Sequence, residues 1–187
     1  QGSWFTGGVH FVTMANSDFW VQRIDSLGSV IWSQAWGGSH KESNAQLASV
    51  SDGNTVVTGG WSYAPDFASM KPYLAKLDSS DGSIIWERQY GPATYSTTFF
   101  TGKERPNGDL IAAGVCYYDG EQQGLLLRTT SEGDSIWMRS YYSQDTLLDD
   151  GNGRFYDVLP TADGGFIAAG SAYFSASGNN PPGISQD

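Results

Sequence analysis

Hydrophobic and polar residues alternate along this chain in short runs, and no stretch carries helical spacing for long enough to sustain a helix. The runs "FWVQRID" (19–25), "YLAKLD" (73–78) and "LLLRTT" (125–130) have strand length and strand composition, and each holds a basic residue at the matching place: Arg23, Lys76 and Arg128. Each is followed by a turn phrase, "DSLGSVIW" (25–32), "DSSDGSIIW" (78–86) or "TSEGDSIW" (130–137), that runs into a second strand ending in Trp. Another aromatic follows within a few residues: Trp36, Tyr90 and Tyr141. That pattern predicts a hairpin, with glycine closing the turn at positive φ and Asp or Ser bonding the turn backbone. A second hairpin is predicted at Asp52-Gly53, Asn107-Gly108 and Asp163-Gly164, leading into an apolar strand that ends at Gly60, Gly114 or Gly170.

These phrases recur with a period. Trp32, Trp86 and Trp137 are 54 and 51 residues apart; the glycines ending "VVTGG", "LIAAG" and "FIAAG" are 54 and 56 apart, and "WFTGG", ending at Gly8, precedes the first by 52. Four short antiparallel strands repeated about every 50 residues predict an all-β fold, a β-propeller of four-stranded blades. Residues 1–187 then form one partial propeller domain of about three and a half blades, whose first unit lacks its first strand and whose last lacks its final two. The expectation is that the ring continues in a longer chain, with closure by self-association as the alternative. The recurring Trp is read as filling the space between adjacent blades, against a direct ligand role. Thr130 stands where the other copies have Asp25 and Asp78, which marks the Asp as a turn preference.

At these residues two family resemblances enter. "YLAKLDSSDGSIIWERQYG", "LLLRTTSEGDSIWMRSYY" and "PTADGGFIAAGS" resemble repeats of large secreted and cell-surface proteins of the Bacteroidota, many exported by the type 9 route with a C-terminal sorting domain. The resemblance covers nearly the whole chain and implies a propeller in an extracellular or outer-membrane-associated setting, usually without catalysis. More distantly, "LAKLDSSDGSIIW" is similar to the tryptophan-docking repeat of quinoprotein-type propellers. That family includes quinone-dependent dehydrogenases and a non-enzymatic outer-membrane assembly lipoprotein, so the motif speaks to fold more than to function.

Charge narrows the partners. Twenty acidic against ten basic side chains leave a net charge of −10, which argues against a nucleic-acid backbone or an anionic membrane surface. A single cysteine, Cys116, makes no intramolecular disulfide and reads as a buried apolar side chain. No apolar run reaches the ~18 residues of a membrane span.

In an antiparallel meander the two kinds of tight turn fall at one end of each sheet and the remaining loops at the other, and loops of varied length on a fixed scaffold are where binding concentrates. At that loop end an aromatic recurs three residues after each repeat glycine: Phe11, Tyr63, Tyr117 and Tyr173, with Trp61, Tyr118 and Phe174 beside the row. These are candidate stacking platforms for a carbohydrate or peptide; the competing reading is rim packing between blades. Asp145, Asp149, Asp150, Asn152 and Asp157 form an oxygen-rich group that could take calcium, against the plainer reading of solvated turn carboxylates, and no D-x-D-x-D-G loop is present. No other cofactor is expected.

No catalytic string is found, and His10, His40 and Cys116 lack any partner spacing. The expectation is therefore a non-enzymatic binding or assembly module, secreted or at the cell surface, that presents its loop face to a protein or extracellular glycan. The alternative is an enzyme on the same scaffold, a quinone-dependent dehydrogenase or a polysaccharide-degrading propeller, which predicts inward-facing charged groups at the axis and usually a metal; Arg23, Lys76 and Arg128 converging there would mark it, and their pairing with acids of neighbouring strands would not.

Overall fold

The computed structural model describes residues 3–118, 121–141 and 152–173. Within them the backbone forms thirteen strands in four sheets taken in chain order, every strand antiparallel to its neighbour. The first sheet holds β1 (Ser3–Thr13), β2 (Asn16–Asp25) and β3 (Val30–Trp36). The second holds β4 (Ser43–Ser49), β5 (Thr55–Ser62), β6 (Met70–Leu77) and β7 (Ile84–Gln89). The third holds β8 (Thr98–Glu104), β9 (Leu110–Tyr118), β10 (Glu121–Thr129) and β11 (Ser135–Tyr141), and the last β12 (Asn152–Pro160) and β13 (Phe166–Tyr173). The all-β class holds, and the three basic-residue runs are β2, β6 and β10. The sheets form an open series, and the described residues do not close a ring.

The turns follow from their residues. Asp25 Oδ1 accepts the amides of Leu27 and Ser29, both at 2.8 Å. In the third copy Thr130 Oγ1 takes the equivalent amides of Glu132 and Asp134 at 3.3 and 3.1 Å, so the hydroxyl replaces the carboxylate in the same task.

Each sheet packs on the one before it through its leading strand: β4 lies against β1 and β2, β8 against β4, β5 and β6, and β12 against β8, β9 and β10. Three separate apolar cores result. Phe19, Val21, Val57 and Tyr73 fill the first interface, Leu74, Phe99, Ala112 and Leu127 the second, and Ile111, Ala113, Leu126 and Val158 the third. The strands that supply these residues are apolar on both faces because both faces are covered, as in β5 and β9.

The repeated Trp recurs at every interface. Trp32 lies against Gly82 in the β6–β7 turn of the next sheet, so closely that a Cβ there would stand 2.7 Å from the ring, and its indole N–H donates to Ser79 O at 3.0 Å. Trp86 meets Gly133 of the β10–β11 turn in the same way, at 2.9 Å. Gly82 and Gly133 have φ of 79° and 81°, so the turn and the ring seat both ask for a residue without a side chain. Trp137 packs on Phe166 of β13, ring centroids 5.9 Å apart.

The leading strand of each of the three later sheets carries a bulge where it meets the repeat glycine of the second strand: register shifts between Ser43 and Gln46, Phe99 and Thr101, and Phe155 and Asp157. At Gly114 a Cβ would stand 2.0 Å from Thr98 O, and at Gly170 1.8 Å from Arg154 O. In these two sheets the repeat glycine takes a carbonyl pressed onto the second strand, whereas at Gly60 the crowding comes from side chains, with Met70 Cε 2.5 Å from a Cβ. The residues extruded by the two later bulges, Phe100 and Tyr156, meet each other with centroids 5.7 Å apart.

Candidate binding site at the loop end of the sheets

The tight turns close one end of the series, and the segments 37–42, 63–69 and 90–97 gather at the other. Among the clefts that open there, two share Tyr117 in their lining. The first lies between the second and third sheets and is mostly apolar; Pro72, Tyr90, Pro92, Tyr118 and Met138 form its wall, with Cys116 at its side. Burial pushes the Cys116 thiol up to about 11, so it stays protonated at neutral pH and acts as an apolar wall. Tyr90 anchors the cavity base by donating its hydroxyl to Gly133 O at 2.8 Å, and desolvation holds it un-ionised well above the usual phenol range.

The second cleft is the more polar of the two and sits where the bulged strands β4, β8 and β12 come together. Ser43, Asn44, Thr98 and Gln122 supply hydrogen-bonding groups, and Phe67 and Phe100 supply ring faces. Thr98 Oγ1 accepts from Ser43 Oγ at 3.0 Å and from Asn44 Nδ2 at 3.2 Å. Arg154 donates through Nε and Nη2 to Gln122 Oε1 at 3.1 and 2.6 Å, and Gln122 Nε2 donates to the Tyr117 hydroxyl. Tyr117 in turn stands edge-on to Tyr95, centroids 5.3 Å apart.

Backbone strain collects at this cavity. Among the described residues four non-glycine positions have positive φ: Asn44 (55°), Asp66 (54°), Phe67 (60°) and Ser96 (46°). Asn44, Phe67 and Ser96 line the polar cavity, Asp66 adjoins Phe67, and Ser96 N donates to Phe67 O at 2.9 Å, which ties two strained loops together. Such conformations cost roughly 1–3 kcal/mol each and persist where surrounding contacts over-determine them, most often at ligand sites.

The candidate aromatics do not gather in one place. Tyr117 and Tyr118 come together on the apolar cavity, with Tyr118 64% exposed. Phe11 is 66% exposed near the end of β1, and Tyr63 is exposed, donating its hydroxyl to Gln89 with Lys71 Nζ 5.8 Å above its ring. Trp61 packs inward, 5.4 Å from Tyr73 and 6.4 Å from Phe19, and belongs to the first inter-sheet core. Tyr173 ends β13 with its side chain outside the described residues, and Phe174 lies wholly outside them.

The calcium candidates Asp145, Asp149 and Asp150 also fall outside the described residues, and Asn152 is described only as the first backbone position of β12. Asp157 faces β8, accepting from Thr101 Oγ1 at 3.2 Å with Lys103 Nζ at 3.9 Å. Among the described residues no three His, Cys, Asp or Glu side chains stand close enough to share an ion.

The three repeated bases are each committed locally. Arg23 donates to Ser3 Oγ at 3.1 Å and Ser79 O at 2.7 Å, Lys76 pairs with Asp52 at 2.6 Å, and Arg128 pairs with Asp109 at 2.5 Å. Those partners lie in three different sheets or turns, and Arg128 and Lys76 hold the carboxyls of Asp109 and Asp52 below the usual carboxylate range.

One functional group escaped sequence reasoning. Glu42 is only 1% exposed; its Oε1 accepts the Gly38 amide at 3.0 Å, and its Oε2 is buried without a hydrogen-bond partner. Burial, with Asp18 adding repulsion, pushes its carboxyl up to about 7. The phrase "GGSHKES" around it carries no sign of burial, because the 37–42 segment folds back only once β2 offers Ser17 O to the Glu42 amide.

No protein-family model matches this chain, and no curated protein is similar enough to it to count as a relative.

Proposed function

We propose that the chain is part of a β-propeller that acts as a non-enzymatic binding or assembly module, secreted or held at the cell surface, offering its loop end to a protein or an extracellular glycan. Support for the ring comes from the four-stranded meanders packed in sequence and from the Trp-on-glycine contact between consecutive sheets. The extracellular setting rests on the resemblance of the repeats to secreted Bacteroidota proteins. The observation that carries the binding reading is the pair of clefts sharing Tyr117, one mostly apolar and one more polar, the second framed by strained non-glycine backbone. Local pairing of Arg23, Lys76 and Arg128 favours this reading over an enzyme built around them.

Titration of intrinsic fluorescence against a panel of soluble extracellular polysaccharides tests the glycan arm. A polysaccharide that binds the wild type and binds Tyr118→Ala about tenfold or more weakly supports the site. Equal binding by the two chains removes the site from the reading, and a panel without any binder leaves the protein arm alone.

A further inference from the structure

We propose that residues 37–42 form a proton-controlled latch at the loop end of the sheets. It is shut on β2 while Glu42 carries a proton; loss of the proton frees it and slackens the Ser43–Asn44 bulge in the wall of the more polar cleft. The latch stands without a bound ligand, and its use in regulating the cleft rests on the binding reading above.

The segment belongs to no strand, and of its residues only Glu42 is buried. Few bonds hold it down. The Glu42 amide donates to Ser17 O at 2.9 Å, Ser17 Oγ donates to Glu42 O at 3.1 Å, and Glu42 Oε1 accepts the Gly38 amide at 3.0 Å. Gly37 and Gly38 leave room for this fold-back: a Cβ on the first would stand 2.6 Å from Asp18 Oδ1, and on the second 3.2 Å from both Glu42 Oε1 and Trp61 Nε1. The seat has acceptors in excess, since Glu42 Oε2 and Asn16 Oδ1 are both buried without a hydrogen-bond partner. A buried carboxylate with one oxygen unserved costs far more than the neutral acid.

The surrounding charges do not favour the ionised form. β2 supplies Asp18, with His10 opposite it across the β1–β2 ladder, and β6 supplies the Tyr73 hydroxyl, itself bonded to Glu87 of β7 at 2.7 Å. β4 and β5 hold no ionisable residue. His40 and Lys41 precede Glu42 in the segment, and no base among the described residues forms an ion pair with its carboxylate. Burial foremost, with Asp18 adding to it, raises the Glu42 carboxyl from 4.5 to about 7 against the pull of the Gly38 and Ser62 amides. In the open segment the same carboxyl meets water, so the shut form is favoured below 4.5 and gives way as pH rises through 7. Glu42 is joined directly to the bulge. Asn44 is held at φ 55°, and Ser43 Oγ and Asn44 Nδ2 both donate to Thr98 Oγ1 in the cleft wall. Their carbonyls press on β5, where a Cβ on Gly59 would stand 2.7 Å from Ser43 O and 2.6 Å from Asn44 O. A left-handed asparagine persists while its surroundings hold it, and the shut latch is one of the holders.

Amide exchange of the full chain, followed by NMR between about pH 5 and pH 8 with each rate divided by that of an unstructured peptide, tests the latch. The Glu42 amide should lose protection about tenfold or more across that range in the wild type and keep it in Glu42→Gln. The core amides of Val57 and Ile111 should stay better protected than it at every pH. Asp18→Asn, which removes the neighbouring charge, should move the midpoint to lower pH, and the Asn44 side-chain amide signals should shift with the same midpoint as the Glu42 amide. Glu42 protection that ignores pH, or that falls equally in Glu42→Gln, overturns the latch. Protection at Glu42 equal to that at Val57 and Ile111 throughout also overturns it, since the amide then exchanges only by unfolding of the sheets. Should Glu42→Gln fail to fold, an unmoved midpoint in Asp18→Asn overturns it instead. Asn44 signals that do not follow the midpoint overturn the link to the cleft. No ligand enters these measurements, so they fail or hold apart from the binding reading, which the polysaccharide titration decides.

Discussion

At Gly114 a single methyl group has nowhere to go: the nearest atom to a Cβ is a main-chain carbonyl oxygen of β8 at 2.0 Å, and main chain cannot rotate aside as a side chain can. Gly114→Ala should therefore lower stability by about 2–4 kcal/mol in urea titration, whereas Gly8→Ala should be neutral or slightly stabilising. Glu42 sets a second expectation. Its carboxyl rises from 4.5 to about 7 on folding, so the native state binds the proton more tightly than the unfolded chain. Its stabilising contribution is then full below 4.5 and is lost as pH rises through 7. Between pH 5 and 8 the wild type should lose about 1–3 kcal/mol that Glu42→Gln keeps, measured as the difference in denaturation free energy at the two pH values. The glycine period was legible because a spacing survives translation into structure. The burial of Glu42 was not, since it depends on a loop meeting Ser17 from another strand.

Strands and turns obey the alternation and the Asp, Ser and Gly signals closely, and each basic run became a strand centre for a reason the sequence hid. Arg23, Lys76 and Arg128 are held by the turn beside them or by the turn of the next sheet. Bulges were not legible, because a bulge is a property of a pair, and nothing in "TFFTGKE" alone says which residue is extruded. The Trp contacts give an expectation at this scale. Trp32 bonds Ser79 O, but the turn that Trp86 meets, Thr130–Asp134, is one residue shorter than Asp78–Ser83, and the Trp86 indole N–H is buried without a partner. Trp32→Phe should lose about 1 kcal/mol more than Trp86→Phe in parallel melts, because only the first removes a hydrogen bond.

Over the whole molecule, stability divides among three cores rather than residing in one. β5 and β9 have both faces covered, while β1 and β13 are exposed along much of their length. Native-state amide exchange should accordingly be slowest in β5, β6, β9 and β10 and fastest in β1 and β13, with the interior sheets opening together. Uniform exchange across all four sheets would contradict that picture. The repeat revealed this layered order, and the parity of an antiparallel meander placed Tyr117 and Tyr118 at one end. What it left hidden is the second cavity, whose walls join the bulge residues Asn44 and Phe100 to Phe67 and Ser96 from two unlike loops.

The Trp-on-glycine contact has a consequence for how such a molecule can grow. Each copy of the phrase carries both halves of the joint, the ring that reaches forward and the glycine turn that receives the ring from behind. A duplicated stretch of one period, cut at any phase, arrives already compatible with the copies on either side of it. Lengthening by unequal recombination needs no new complementary surface to evolve, whereas a loss of half a period leaves a ring without its seat. The joint is inherited with the part, and the array can change its number of sheets without redesigning an interface.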